Sequence, residues 1–193
     1  MNTRRIAART LELAGWKYEG PVPTEPKFVM LAVPHTSNWD GALLVLLTRS
    51  IGLEIQWMVK DAWIKGALGP AMRGLGAVGV DRSRRQNLVE QMIEQFGTRD
   101  RFALAIPPEG TRSRVPYWKS GFYHIALGAR VPVVPGYLDF ARKRGGLGPA
   151  IQLTGNPVVD MDVIRAFYAR MNPTPCVPEN FGPIRLREED ETK

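Results

Sequence analysis

The chain has 193 residues and carries 26 Lys and Arg residues against 19 Asp and Glu, which gives a formal net charge of +7 and a pI near 9.9. This length is enough for one large domain with a hydrophobic core, and the cationic excess indicates an anionic partner such as nucleic acid, a phosphorylated ligand or an acidic membrane surface. The single cysteine, Cys176, excludes a disulfide framework and a cysteine-based zinc site.

The N-terminal segment has apolar residues at helical spacing between residues 3 and 16. Because the segment is also basic, such a helix could lie on an anionic membrane, but packing against its own domain is the interpretation we favour. Arg4 and Arg5 are not followed by a long apolar run, so the segment lacks the pattern of a secretory signal. The longest aliphatic stretch, 42–47, is too short to span a bilayer, so we expect any membrane contact to be peripheral.

After a proline-rich connector, stretches typical of strands and helices alternate along the chain. The predicted strands are 28–33, 54–59, 77–80, 102–106, 131–140 with two prolines in it, and 151–154, and the predicted helices are 39–51, 86–96, 120–129 and 160–171. Asn38 and Asp160 are the predicted N-caps of the first and last of these helices, and Gly97 is the predicted C-cap of the second. The segment 61–76 favours neither structure.

This alternation predicts an α/β fold with a single domain, in which a mostly parallel mixed sheet carries helices on both faces. Residues 1–26 are expected to form an N-terminal helix and connector, residues 27–171 the core, and residues 172–193 an irregular C-terminal tail. No internal repeat marks a second domain.

One of the two histidines, His35, lies in the stretch Pro34-His35-Thr36-Ser37-Asn38-Trp39-Asp40, between a predicted strand and a predicted helix. A loop at such a junction is held by rigid elements on both sides, and catalytic side chains are often placed there. Asp40 falls in the first helical turn, where the helix dipole favours a charged carboxylate. A carboxylate beside an imidazole can accept the proton of one ring nitrogen and leave the other nitrogen available as a general base.

A second polar cluster, Pro107-Pro108-Glu109-Gly110-Thr111-Arg112-Ser113, follows directly on the predicted strand 102–106. Because ligands gather at strand ends on one edge of an α/β sheet, this loop and the His35 loop are expected to face the same crevice. The guanidinium of Arg112 suits a phosphate group, and Arg82 and Lys119 could add two more cations.

Four sequence blocks together resemble the glycerophospholipid acyltransferases, a family that includes lysophosphatidic acid acyltransferases and glycerol-3-phosphate acyltransferases. The blocks are His35 to Asp40, which resembles H-x-S-x-x-D; Gly76 to Arg82, which reads GAVGVDR; Pro108 to Ser113, which matches P-E-G-T-R-S, with Lys119-Ser120-Gly121 resembling the K-x-G that follows; and Val131 to Pro135, which matches V-P-[IV]-V-P. They occur in the family's order across residues 28–140.

The resemblance implies transfer of a fatty acyl group from an acyl-CoA or acyl-carrier-protein thioester to a hydroxyl of a lysophospholipid, with 1-acylglycerol-3-phosphate as the first candidate. It implies His35 as the general base and Asp40 as its orienting partner. The acceptor-binding residues that it implies are Arg82, Glu109, Gly110, Thr111, Arg112 and Lys119. In this set the arginines would bind the phosphate, and Glu109 would bind a hydroxyl or a neighbouring cation. No metal or cofactor besides the acyl donor is expected, because a thioester is already activated.

Such a protein is expected in the cytoplasm at the inner face of the membrane, docked by its positive charge and by apolar groups of the first helix or of the segment 61–76. Three alternatives remain open: an acceptor other than a glycerophosphate, a catalytically silent lipid-binding protein, and a nucleic-acid-binding protein with its basic loop at 142–146. Cations spread along the chain do not favour nucleic acid as a partner. A serine hydrolase is not favoured, because the chain has no G-x-S-x-G, and His124 is expected to pack within an apolar helix.

Overall fold

A mostly parallel sheet crosses the computed structural model, which describes residues 3–67, 69–80 and 88–191. Its strands are β1 (Lys17–Glu19), β2 (Lys27–Val33), β3 (Gln56–Lys60), β4 (Ala77–Val80), β5 (Phe102–Ile106), β6 (Val133–Asp139) and β7 (Arg144–Leu147). They lie in the order β1-β7-β6-β2-β5-β3-β4, and among these described strands only β6 and β7 pair antiparallel. β2 therefore lies in the middle of the sheet, between β5 and β6.

Helices of the described residues cover both faces of the sheet. They are α1 (Thr3–Leu13), α2 (Asn38–Ser50), α3 (Asp61–Lys65), α4 (Gly69–Gly74), α5 (Leu88–Thr98), α6 (Gly121–Ala129), α7 (Pro157–Met171) and α8 (Glu188–Glu191). Helices α5, α6 and α7 pack on one face, α2 packs on the other, and α1 packs against α2. The predicted α/β fold class is confirmed, and so is the packing of the first helix on its own domain.

The apolar run of β2 explains its central position. Val29 and Leu31 point into the core beneath α5, α6 and α7, whereas Phe28 and Met30 point towards α2, and all four side chains are buried. A strand buried on both faces has no place at a sheet edge, so β2 is flanked by two other apolar strands. Polar residues therefore follow only after these strands end, and the loops of the site begin there.

Two strands on one side of the sheet are not predicted by the sequence. β7 begins at Arg144, within the expected basic loop 142–146, and it pairs with β1. The predicted strand 151–154 is wrong, because only Ile151 makes a bridge, to Val133. β7 contains two glycines, and glycine has a low strand propensity, so the sequence pattern does not indicate a strand here. The structure requires a glycine at position 146, because a side chain there would collide with the Glu19 carbonyl of β1.

Two predicted N-caps are wrong by one and four positions. α2 is capped by Ser37 rather than Asn38, and α7 is capped by Asn156, whose side-chain oxygen accepts hydrogen bonds from two amides of the first turn. Asp160 is buried instead and accepts hydrogen bonds from the Tyr123 hydroxyl at 2.7 Å and from the Thr154 amide and hydroxyl at 2.9 Å each. This carboxylate ties α7 to α6 and to the loop before α7.

The structure also differs from the sequence-based expectations for α5, for the segment 61–76 and for His124. α5 continues to Thr98, so Gly97 does not end it, and its predicted start at 86 lies outside the described residues. The unassigned segment 61–76 contains α3 and α4, which contact β4. His124 is not packed: its Nε2 lies 3.9 Å from Oε1 of Glu188 and half of its side chain is exposed, because Tyr123 and Ile125 take the buried positions of α6.

Candidate active site

The pairing of β2 with β5 brings the two predicted loops together. These parallel neighbours have Leu31 opposite Ile106, so their carboxyl ends lie at the same edge of the sheet. The backbone N–H of His35, which follows β2, donates a hydrogen bond to Oε1 of Glu109, which follows β5, at 3.1 Å. The two loops therefore face one crevice, as the sequence predicts.

Asp40 closes the His35 loop from the first turn of α2. Its Oδ2 accepts hydrogen bonds from the Thr36 amide and, at 2.7 Å, from the Ser37 amide, and its Oδ1 accepts one from the Ser37 hydroxyl at 2.7 Å. Ser37 Oγ in turn accepts a hydrogen bond from the Trp39 amide at 3.2 Å, which completes a capping box. The carboxylate is buried and its place beside His35 is fixed by the loop itself.

The imidazole of His35 lies beside this carboxylate without bonding to it. Nδ1 is 4.0 Å from Oδ2 of Asp40, which exceeds hydrogen-bond distance. The predicted hydrogen bond is therefore absent between these two residues, and Asp40 acts on the ring through its charge. Burial lowers the pKa of His35, the charge of Asp40 opposes this shift, and the charge of Arg112 adds to it. This lowered pKa favours the neutral ring, which is the form that a general base requires.

Glu109 is buried between the two loops, with 2% of its surface exposed. Its Oε1 accepts a hydrogen bond from the His35 amide, whereas its Oε2 has no hydrogen-bond partner among the described residues. Burial raises the pKa of Glu109 to about 7, although the amides of Glu109 and His35 act to lower it; the charge of Asp40 raises it further. The sequence does not predict this contact between the Glu109 side chain and the backbone of His35.

Arg112 and Lys119 provide the described cations of the site. Both side chains are exposed, and neither forms a hydrogen bond or ion pair with another described residue. Lys119 lines the cavity beside His35 and lies against Gly110, whose φ of +66° suits a glycine. Arg112 is close enough for its charge to lower the pKa of His35. An anionic ligand at this edge would therefore meet two cations that are not already neutralised.

The two other predicted site residues are Thr111 and Arg82. Thr111 is exposed and its hydroxyl accepts a hydrogen bond from the Ser113 amide at 3.4 Å, so it shapes the loop. Arg82 lies outside the described residues. In the described part of the chain, no three His, Cys, Asp or Glu side chains are grouped as metal ligands.

An apolar cavity of about 960 Å³ opens beside His35. Its polar end is lined by His35, Asp40, Gly110 and Lys119. Part of its apolar wall runs between α2 and the sheet and is formed by Ala32, Leu44, Val45, Ile55, Trp57, Leu75 and Ala105. A cavity of this size and lining suits a hydrocarbon chain with one polar end. Sequence patterns do not reveal it, because this part of the wall alone is assembled from five separate segments.

The basic loop 142–146 is largely neutralised within the protein. Asp139 accepts hydrogen bonds from Arg142 Nη1 at 2.8 Å and Arg144 Nε at 3.1 Å, and Arg144 also pairs with Glu19 at 2.9 Å. Burial acts to raise the pKa of Asp139, but the hydrogen bonds from Arg142 and Arg144 outweigh it and hold the pKa below its ordinary value. The feature that suggested a nucleic-acid partner is thus a structural ion-pair cluster.

The family model described as Acyltransferase matches residues 17–139, which is more than half of the chain. The chain belongs to the acyltransferase family. The matched region contains β1 to β6 and both loops of the site, and it ends before β7, α7 and the C-terminal tail.

Two relatives are both named 1-acyl-sn-glycerol-3-phosphate acyltransferase. The one from Cocos nucifera is 31% identical over 119 residues, which cover 59% of this chain and 32% of the relative. The one from Haemophilus influenzae is 27% identical over 143 residues, which cover 68% of this chain and 57% of the relative. The chain thus spans about a third of the first relative and just over half of the second. The resemblance to glycerophospholipid acyltransferases is confirmed.

The fold is also that of a solved acyltransferase. The crystal structure of the 1-acyl-sn-glycerophosphate acyltransferase PlsC from Thermotoga maritima matches with a TM-score of 0.60 at 15% identity, over 88% of this chain and 78% of that chain. At this identity the match supports the fold alone. No helix within residues 3–67, 69–80 and 88–191 combines the length and apolar character of a membrane span.

The raised pKa of Glu109 predicts a pH-dependent stability. The folded protein keeps this proton up to about pH 7, whereas a glutamate with its ordinary pKa of 4.5 releases it earlier. The free energy of unfolding should therefore fall as the pH rises between these two values and level off above, by up to about 3 kcal/mol in total. Glu109→Gln cannot titrate and should remove this decline, as measured by urea unfolding across the same range. Glu94→Gln, an exposed change in α5, is the control, and identical pH profiles for wild type and Glu109→Gln would contradict the prediction.

Proposed function

We propose that the protein transfers a fatty acyl group from an acyl-CoA or acyl-carrier-protein thioester to a hydroxyl of a lysophospholipid, with 1-acylglycerol-3-phosphate as the preferred acceptor. The observation that carries this proposal is the position of the His35 imidazole at the polar end of an apolar cavity that Lys119 also lines, with the exposed guanidinium of Arg112 nearby. Both curated relatives are named for this acceptor.

In this proposal His35 is the general base. One ring nitrogen takes the proton of the acceptor hydroxyl while the hydroxyl oxygen forms a bond to the thioester carbonyl carbon. The C–S bond then breaks, and the imidazolium returns the proton to the departing thiolate. The thiol leaves readily because its ordinary pKa is about 8.5, so the base at the hydroxyl supplies most of what side-chain acid–base chemistry can add, about 10²- to 10⁴-fold.

Asp40 stabilises the charged intermediate state of the base. Its carboxylate lies 4.0 Å from Nδ1, and two opposite charges at that distance attract by about 4 kcal/mol at an effective dielectric constant of about 20. This attraction exists only after His35 has taken the proton, so it favours the transition state over the resting enzyme. Burial of the ring keeps the resting form neutral.

The cavity and the cations would bind different parts of the two substrates, the acyl chain and the acceptor phosphate respectively. The apolar wall between α2 and the sheet would bury the acyl chain, at about 0.8 kcal/mol for each CH₂ group removed from water. Arg112 and Lys119 would bind the acceptor phosphate by charge-assisted hydrogen bonds. Gly110 lets the loop pass close to Lys119, and Arg82 remains the predicted third cation.

Loss of the base should slow acyl transfer strongly without unfolding the protein. We expect His35→Ala to lower kcat by about 10²- to 10⁴-fold while the KM for the acceptor changes little, because the phosphate contacts are kept. Purified protein is incubated with labelled acyl-CoA or acyl-carrier protein and a panel of lysolipids and other alcohols, and products are identified by mass spectrometry. His124→Ala, which removes the other histidine, is the control. Near-normal turnover by His35→Ala would remove the base assignment, and a product from another acceptor would replace 1-acylglycerol-3-phosphate.

Loss of Arg112 should act on acceptor binding. Removing one charge-assisted contact costs about 1.5–3 kcal/mol, so Arg112→Ala should raise the KM for a phosphorylated acceptor by about 10- to 100-fold. Arg101→Ala is the matched control, because Arg101 is exposed and precedes β5 at the opposite edge of the sheet. Equal KM values for the two variants would show that Arg112 does not bind the phosphate.

We also propose that the site edge of the sheet docks on the anionic inner face of the membrane, in which a lysophospholipid acceptor would lie. Trp39, in the first turn of α2 directly after the His35 loop, is 69% exposed. Arg112 and Lys119 are exposed in the neighbouring segments of the same edge. A tryptophan with cations around it is a typical peripheral anchor, because the ring enters the interface while the cations meet lipid phosphates. Docking in this way would present a membrane-embedded lysolipid to His35 directly.

If this edge of the sheet docks on the membrane, Trp39 should contribute more to membrane binding than an exposed apolar residue elsewhere. Trp39→Ala should weaken sedimentation with phosphatidylglycerol vesicles by about tenfold, because about 1.5 kcal/mol of apolar burial is lost. Leu13→Ala is the matched control, since Leu13 is 90% exposed at the end of α1. The reverse result would assign docking to the first helix, and no sedimentation of wild type at low or high salt would point to an acceptor outside the membrane.

A further inference from the structure

We propose that Thr36 is a positioning residue through which the C-terminal segment, residues 172–191, holds the proposed catalytic histidine in place. This inference rests on the proposed role of His35 as the base. It assigns a role in catalysis to a segment that lies outside the region matched by the family model, which ends at residue 139.

The ring of His35 depends on its backbone for its position. Among the described residues the ring makes no hydrogen bond, and its Nδ1 lies 4.0 Å from Oδ2 of Asp40. The placement of the imidazole is therefore set by the backbone on either side of it. On one side the His35 amide is held by Glu109 at 3.1 Å, and on the other side stands Thr36.

All three polar groups of Thr36 are engaged, and the side chain is buried. Its amide donates to Asp40 within the loop. Its hydroxyl oxygen accepts a hydrogen bond from the Val177 amide at 3.2 Å, and its carbonyl accepts a longer one from Asn180 Nδ2 at 3.5 Å. Two of the three bonds thus come from the C-terminal segment, more than 140 residues away along the chain.

The C-terminal segment is itself firmly attached, so it can serve as a support. The Phe181 carbonyl accepts a hydrogen bond from Arg114 Nη1 at 2.7 Å, and the Arg185 carbonyl accepts one from the Trp118 amide at 2.8 Å. Leu186 is fully buried in the main core cluster. A side chain at Gly182 would collide with the Val115 carbonyl, which shows how closely the two stretches run.

These attachments place the segment across both halves of the site. Residues 114–118, to which it binds, lead from the Glu109 loop to Lys119. At its other end it binds Thr36 in the His35 loop. The carboxylate of Glu189 adds an ion pair with Arg165 of α7 at 2.6 Å. A support that spans the two loops fixes their separation, and a misplacement of a catalytic group by about 1 Å can cost about 10²-fold in rate.

The test removes the hydroxyl acceptor while keeping the shape of the side chain. Thr36→Val should lower kcat by about 10- to 100-fold and leave the KM values for donor and acceptor unchanged. Thr36→Ser restores the acceptor and should restore kcat. Asn180→Ala, which removes the weaker bond, should give a smaller loss and serves if Thr36→Val does not fold. Thr48→Val is the matched control, because the hydroxyl of this buried threonine donates, among the described residues, only to carbonyls of α2, those of Leu44 at 2.9 Å and Val45 at 3.3 Å.

The outcomes separate this inference from the proposed function. Loss of kcat in Thr36→Val with rescue by Thr36→Ser supports the positioning role. If Thr36→Val and Thr48→Val turn over equally while His35→Ala is inactive, the positioning role is wrong and the base assignment stands. If Thr36→Ser fails to restore kcat, or if Thr36→Val raises KM instead, the hydroxyl does not position the base. If His35→Ala is active, both proposals fall together.

Discussion

The site depends on the hydrogen bonds and the charge of the Asp40 carboxylate. The carboxylate accepts three hydrogen bonds from two residues of the His35 loop, Thr36 and the helix cap Ser37. Bonds of this kind to a charged group contribute about 1.5–3 kcal/mol each, so the loop closes around a fixed negative charge. The same charge stands 4.0 Å from the His35 ring. One buried carboxylate therefore both shapes the loop and sets the electrostatics of the proposed base.

The charges around His35 oppose one another, and their balance suits base chemistry. Burial and Arg112 favour the neutral ring, whereas Asp40 favours the protonated ring. A resting ring without a proton can accept one from an alcohol, and Asp40 stabilises the ring once it has done so. Glu109 is the second carboxyl group of the cluster, and its raised pKa of about 7 limits the negative charge that accumulates next to Asp40.

The sequence predicts the parts of the protein that follow from local patterns. The apolar runs of β2 and β5 end at His35 and Glu109, and parallel strands place such ends at one edge, so the meeting of the two loops follows from the sequence alone. Contacts between distant segments do not follow in this way. The glycines of β7, the burial of Glu109 and the bond from Val177 to Thr36 depend on which segments lie side by side in the fold. The choice of Ser37 over Asn38 as the cap is a competition between adjacent residues, both of which are good caps.

The central claim is that the His35 ring is neutral in the resting enzyme and stands ready to take a proton. The most direct measurement is an NMR titration of its ring protons, which is simple to assign because the chain has only two histidines. The account predicts a midpoint for His35 below the ordinary value of 6.5, in agreement with its lowered pKa. A midpoint above 7 would mean that Asp40 outweighs burial and keeps most of the ring protonated at pH 7, and the proposed base would be contradicted.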